Sequence, residues 1–195
     1  CDLFLDTFVA LSELSGKVYQ ATIPASPQKM SEQESTDVAF RVIADHIRTL
    51  SFSIADGILP GNEGRNYVLR RILRRAILFG HQLGLRTGFF EKLVASVVEK
   101  LGPVYPELVE QKEIIEKIIR SEEESFGKTL DRGLALLDRV TQDGSGLITG
   151  NAAFTLYDTY GFPLDLTQLS ARERDLEVDI PGFEKAMKEQ RKRSQ

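Results

Sequence analysis

Cysteine is nearly absent from this chain of 195 residues: Cys1 stands alone, so no internal disulfide framework can form. Histidine is almost as scarce, and Cys1, His46 and His81 together cannot furnish a structural zinc site built from Cys and His. Long apolar runs are missing as well. The stretch Leu3 to Leu11 is interrupted by Asp6 and has no basic leader, which excludes a signal peptide and a membrane span there and makes the cytoplasm the default compartment. No initiator Met stands at position 1, and a charged run from Lys188 to Arg193 lies at the very end, so the chain reads as a piece of a longer protein. There is no β-rich region and no internal repeat. Gly144, Gly146 and Gly150 lack the strand-then-helix setting of a phosphate loop, and no nucleophile stands at a workable spacing from a base.

What is present is helical periodicity. With 42% hydrophobic and 28% charged residues the composition is that of an ordinary globular protein with enough apolar surface for a sizeable core. Apolar residues from Leu3 to Leu14 recur at helical spacing and Gly16 follows as a C-cap. Residues 17 to 30, with Pro24 and Pro27, read as a connector with a short extended piece at Val18 to Ile23. Ser35, Thr36 and Asp37 offer N-caps for a helix ending near Gly57, and Asn62 offers one for a helix running to about Gly84. A third helix is predicted from Phe89 to Leu101, and a much longer one from Glu107 to about Val140, where Gly127 and Gly133 mark a kink or a close crossing. Shorter helices follow at Ala152 to Tyr160, 164 to 174 and 181 to 193. The fold class is all-α, an irregular helical bundle around one long helix.

One segment carries unusual charge. From Gly64 to Phe90 there is no acidic residue, while Arg65, Arg70, Arg71, Arg74, Arg75 and Arg86 give +6 in a chain whose net charge is −4, leaving −10 for the rest. On a helix, Arg70, Arg71, Arg74 and Arg75 share an arc with Tyr67, opposite Leu69, Ile72, Leu73 and Ala76. Four like charges at these spacings repel one another, so something must neutralise them. Phosphate groups would do so, and so would acidic side chains elsewhere, such as Glu122, Glu123 and Glu124; the arc alone leaves both open. The remaining titratable groups read more simply. His46 beside Asp45 reads as a structural histidine, because neighbours in sequence do not face each other on a helix. His81 reads as a surface residue near a helix end, and the three glutamates as a solvated helix face.

Several motifs together resemble the alanyl-tRNA synthetase family. They are Phe40-Arg41-Val42-Ile43-Ala44-Asp45-His46-Ile47-Arg48, the run from Gly61-Asn62-Glu63-Gly64-Arg65 through Leu69-Arg70-Arg71-Ile72-Leu73-Arg74-Arg75, Glu122-Glu123-Glu124-Ser125-Phe126, Arg132-Gly133-Leu134-Ala135-Leu136-Leu137-Asp138, and Leu156-Tyr157-Asp158-Thr159-Tyr160-Gly161-Phe162-Pro163. The resemblance implies that residues 1–30 are the tail of the class II catalytic domain or a linker, and that 31–195 form an all-helical tRNA-recognition domain lying before the editing domain. It implies a longer protein that ligates alanine to its tRNA using ATP, magnesium and zinc, while this piece binds no cofactor or metal of its own and is catalytically silent. Its partners would be the acceptor stem of the alanine tRNA and the catalytic and editing domains of the same longer chain, with no membrane.

By the same resemblance, Asn62 and Asp158 match the family's readers of an acceptor-stem G·U wobble pair. A wobble pair leaves the guanine exocyclic amine free in the minor groove, where a carboxylate accepts its hydrogen bond and an amide can donate or accept. Arg65, Arg70, Arg71, Arg74 and Arg75 would then contact phosphate and position the stem. Read without the family, Asn62 is an N-cap and Asp158 a helix-end residue bonded to local backbone. Many relatives carry Ser before the Asn and Gly before the Tyr, where this chain has Gly61 and Asn66, a change expected to loosen the approach to Asn62. The alternatives in other classes are a generic helical nucleic-acid-binding module and a structural helical interaction domain.

Overall fold

A computed structural model describes residues 3–26, 29–142 and 144–193. The fold is all-α, as the periodicity predicts, and the chain divides into two compact units, Cys1–Ser125 and Phe126–Gln195. The division falls inside a helix, and the first helix belongs to the first unit together with everything up to Ser125.

In the first unit, α1 (Leu5–Ser15) buries Thr7, Phe8 and Leu11 and stops at Gly16, whose φ of 68° is the left-handed conformation that closes a helix. Residues 17–26 form no strand. Their backbone is instead held by one carboxylate: Asp37, fully buried, accepts the N–H groups of Gln20 (2.9 Å) and Thr22 (2.6 Å), the Thr22 hydroxyl (2.7 Å) and Gln33 Nε2 (2.8 Å). This explains why α2 (Glu32–Ala55) does not start at Ser35 to Asp37 as the sequence suggested. Ser31 is the cap, in a capping box with Glu34, and Asp37 lies one turn inside, facing the connector.

Helix α2 is the centre of this unit. Its stripe Phe40, Ile43, Ile47, Leu50 and Ile54 is buried, and α1, α3 (Gly64–Gln82), α4 (Val94–Leu101) and α5 (Pro106–Glu110) all pack against it. A 3-10 turn, Glu91–Leu93, precedes α4, where a single helix from Phe89 was predicted. The predicted helix from Glu107 is likewise two: Gln111 leaves helical geometry (φ −99°, ψ 4°), separating α5 from α6 (Lys112–Gln142). Leu108 on α5 is buried, while the buried stripe of α6 begins at Ile115.

The second unit holds the C-terminal part of α6, then α7 (Gly150–Asp158), α8 (Leu164–Arg172) and α9 (Ile180–Arg193), with α7 packed on both of the others. Thr149 caps α7 by accepting from Ala152 N–H. A two-residue parallel ladder joins β1 (Leu147–Ile148) to β2 (Glu177–Val178), where the sequence read only loop. The close approach at Gly133 is that of a loop ring rather than a crossing helix: a Cβ there would sit 2.3 Å from the ring of Phe162, between α7 and α8, which also meets Phe126 edge-on at 5.4 Å.

Candidate nucleic-acid interface

The basic arc lies on α3 of the first unit. The chain enters the helix through Glu63 in extended conformation as the N-cap residue, with Gly64 at φ 54°. Asn62 therefore does not cap α3. Leu69, Leu73 and Ala76 are buried against the core, as predicted, Ile72 is half-buried, and Arg65 is exposed while Arg70, Arg71, Arg74 and Arg75 are half-buried. Arg71 and Arg75 lie 5.9 Å and 6.0 Å from the rings of Tyr67 and Phe79, each four residues away on the same helix. Contacts of this kind between a guanidinium and an aromatic ring are attractive and restrict the arginine side chain.

Arg70 is committed differently. Its Nε and Nη2 donate to the two carboxylate oxygens of Glu122 on α6, at 3.1 Å and 2.7 Å, and its Nη1 donates to Asn62 Oδ1. Of the two sources of neutralising charge left open by the sequence, an acidic side chain is the one that Arg70 uses. On this arc Arg70 is tied to Glu122 and Asn62, with Arg71, Arg74 and Arg75 beside it on α3.

The loop before α3 is tighter than the sequence suggested. Gly61 N–H donates to the Asn66 carbonyl at 2.9 Å, so the glycine does not loosen the approach to Asn62; it makes room for Asn66. Asn62 itself is exposed.

Asp158 is the last residue of α7 in the second unit, exposed, and its carboxylate accepts from Gln190 Nε2 on α9 at 2.8 Å. Its partner is a side chain 32 residues away rather than the local backbone of a helix end. Behind it Phe162 N–H returns to the Leu156 carbonyl at 2.8 Å through Gly161 at φ 72°, fixing the end of the helix. The structure brings Asn62 and Arg70 together; Asp158 belongs to the other unit. Sequence reasoning missed Gln190, for which no local signal exists.

The glutamate run has three fates. Glu122 holds Arg70, Glu124 is exposed, and Glu123 is buried with its carboxylate accepting the backbone N–H groups of Gly88 (2.8 Å), Phe89 (3.2 Å) and Phe90 (3.3 Å). Spacing could have revealed Glu123, because Ile115, Ile119, Glu123, Phe126 and Leu130 recur at four and three and the glutamate occupies the core stripe. His46 Nδ1 lies 3.4 Å from Asp45 Oδ2, so adjacent helix positions do meet here, and Asp45 also accepts from Arg48 at 2.9 Å. Among the described residues no group of three His, Cys, Asp or Glu converges to hold a metal ion, and no helix is long and apolar enough to cross a membrane.

A family model described as tRNA synthetases class II (A) matches residues 2–195. The chain belongs to this family of class II synthetases. The match runs from one end to the other, which corrects the expectation that residues 31–195 form a separate tRNA-recognition domain after the class II core: the whole chain falls in the region that the class II model describes. Alanine–tRNA ligases of Opitutus terrae and Akkermansia muciniphila are each 51% identical over 99% of this class II chain, and that of Pseudoalteromonas translucida is 52% identical over 91%. The chain spans between a fifth and a quarter of the length of these curated relatives, 23%, 21% and 21% respectively.

Proposed function

We propose that this chain is part of an alanine–tRNA ligase and contributes contacts to the acceptor stem of its tRNA. The observation that carries this reading is the basic character of α3, whose five arginines, with Arg86 just beyond its end, meet no acidic residue from Gly64 to Phe90, in a chain of net charge −4 that is about half identical to alanine–tRNA ligases. Arg65, Arg71, Arg74 and Arg75 are the proposed phosphate contacts, and they position the stem without reading sequence. Arg70 keeps N–H groups that a phosphate could use beside its contacts to the Glu122 carboxylate and the Asn62 amide.

Asp158 is the proposed acceptor for the free guanine amine of a G·U pair, an acceptor-only group meeting a donor that a Watson–Crick pair would occupy. Asn62 is a second proposed contact to that pair. The aminoacylation chemistry of the longer protein, with its ATP, magnesium and zinc, is assigned to residues outside this chain, and the chain alone is expected to form no alanyl-adenylate in a pyrophosphate-exchange assay. The cytoplasm is the proposed place of work.

The deciding experiment titrates the chain with two acceptor-stem hairpins that differ only in G·U versus G–C at the third pair, at two salt concentrations. Tighter binding of the G·U hairpin at both, abolished by Asp158→Ala with the protein still folded, is the expected result. Equal, salt-sensitive binding of both hairpins would reduce the function to the arginines alone. No binding at all would leave a structural helical module.

A further inference from the structure

The Arg70 guanidinium is held from two sides, by Glu122 and by Asn62. It and Glu122 are largely buried, at 18% and 17% exposure, and they meet through two parallel hydrogen bonds, the geometry in which a guanidinium and a carboxylate hold each other most firmly. The third nitrogen of the fork, Nη1, reaches the exposed side chain of Asn62. An amide has two chemically opposite ends, and a guanidinium carries donors only. The end of Asn62 that faces Arg70 is therefore its oxygen, and the Nδ2 end, with two N–H groups, is turned away. The backbone at this point is held as well, since Gly61 N–H is bonded to the Asn66 carbonyl across the loop.

We propose that Arg70, anchored by Glu122, is a positioning residue that fixes the orientation of the Asn62 amide, so that Asn62 meets RNA as a hydrogen-bond donor. Its target is then an acceptor exposed in a minor groove: a pyrimidine O2, a purine N3 or a ribose oxygen. This gives Asn62 a role opposite to that of the acceptor-only Asp158. It also removes Arg70 from the electrostatic arginines: its charge is answered by Glu122, and its contribution to binding is geometric. The inference rests on the reading of Asn62 as a base-pair contact.

Three variants test it with the same two hairpins. Asn62→Ala checks the underlying reading: a loss of roughly tenfold in the preference for G·U, about what one hydrogen bond supplies, is expected, and no change would overturn the role of Asn62 itself. Asn62→Asp keeps the size and still bonds Arg70, but exchanges the outward donor for an acceptor. It is expected to lose the preference at least as fully as Asn62→Ala, whereas retention of the preference would overturn the donor assignment.

Glu122→Gln removes the anchor without adding a group that could repel or attract phosphate strongly. The expected result is a reduced G·U preference; a retained preference with a steeper salt dependence, the sign of an unmasked Arg70 charge meeting phosphate, would overturn the positioning role. If Asn62→Ala matters and Glu122→Gln does not, the positioning role fails while the reading of Asn62 stands. Arg70→Lys supplies the complementary case, keeping the charge and losing the fork. Affinity held with preference lost fits positioning, and both held fits a plain phosphate contact instead. Should Glu122→Gln unfold the first unit, Asn62→Asp still decides the orientation, and the side-chain amide resonances of Asn62 read it without RNA. They should shift in Arg70→Lys and stay put if Arg70 leaves the amide alone.

Discussion

Gly61 and Asn66 occupy each other's space. A Cβ added at Gly61 would lie 2.9 Å from the Cβ of Asn66, closer than two such atoms approach, while the backbones are joined by the Gly61 N–H to Asn66 carbonyl bond. Only one of the two positions can carry a side chain while this hydrogen bond is kept, so the residues at 61 and 66 are expected to depend on each other. Gly61→Ser alone should cost about 1–3 kcal/mol of stability, the usual range for overpacking. Gly61→Ser with Asn66→Gly should recover most of it, since Asn is itself a poor helix former and Gly costs only about a few tenths of a kcal/mol more. Chemical denaturation of the two singles and the double gives the coupling directly; additive losses would dismiss the shared-space account.

Removing the Glu123 carboxylate should be among the most damaging changes in the first unit. Glu123→Ala leaves the N–H groups of Gly88, Phe89 and Phe90 without their acceptor, at about 1–3 kcal/mol for each group that stays buried. Burial pushes this carboxyl above its ordinary value near 4.5, against the lowering effect of the three N–H groups. The folded form therefore favours the proton more than the unfolded form does: stability is fully present below about 4.5 and declines as pH rises through the higher folded value. Glu123→Gln should abolish that decline in a pH series of thermal melts, and an unchanged series would show the carboxylate to be unperturbed.

Acid should act in the opposite sense through His46 and Asp37. Burial holds the His46 imidazole below its ordinary value of 6.5, with Arg75 nearby acting in the same direction and Asp45 opposing. The unfolded chain takes up this proton first, so stability present above 6.5 falls as pH drops through the lower folded value. For Asp37, burial works to raise the pKa, but the donors from Gln20, Thr22 and Gln33 outweigh it and hold the carboxyl below its ordinary 3.8. Its contribution persists above 3.8 and is lost only below that. Melts of His46→Gln and Asp37→Asn should separate the two steps, His46→Gln flattening the upper one and Asp37→Asn the lower. Identical profiles for wild type and His46→Gln would rule out the upper step.

The salt dependence of RNA binding counts the arginines that reach phosphate. Each true phosphate contact should lower the slope of log affinity against log salt by roughly 0.9 when replaced. Arg65→Gln, Arg71→Gln, Arg74→Gln and Arg75→Gln are expected to do so while weakening G·U and G–C hairpins equally. A variant that leaves the slope unchanged assigns its arginine to the protein rather than the RNA.

Much of this arrangement could be read along the chain, where the cause is local. The stripe of α2, the Gly16 stop and the buried side of α3 follow from spacing at three and four, and so does the arc of Arg70, Arg71, Arg74 and Arg75. The misreadings of Asp37, Asn62 and Asp158 share one physical reason: for a polar side chain near a helix end, capping or the local backbone is the cheapest use. Asp37 instead serves a connector 15 and 17 residues upstream, and Asn62 is taken by an arginine on α3 that a glutamate from α6, 52 residues further on, holds in place. Gln190 on Asp158 is of the same kind. Long-range use of a polar side chain leaves no mark on the periodicity, except where a charge sits in an apolar stripe, as Glu123 does.

The two buried carboxylates carry a consequence for how the chain breathes. The amides of Gln20, Thr22, Gly88, Phe89 and Phe90 lie outside α1 to α9, yet their partners are Asp37 in α2 and Glu123 in α6. In hydrogen exchange these five amides should behave as honorary members of the helices that hold them, released at the rate at which α2 or α6 gives way rather than at the rate of a surface loop. The connector and the turn before α4 would then open as part of larger cooperative events, with a protection that their own irregular backbone could never supply.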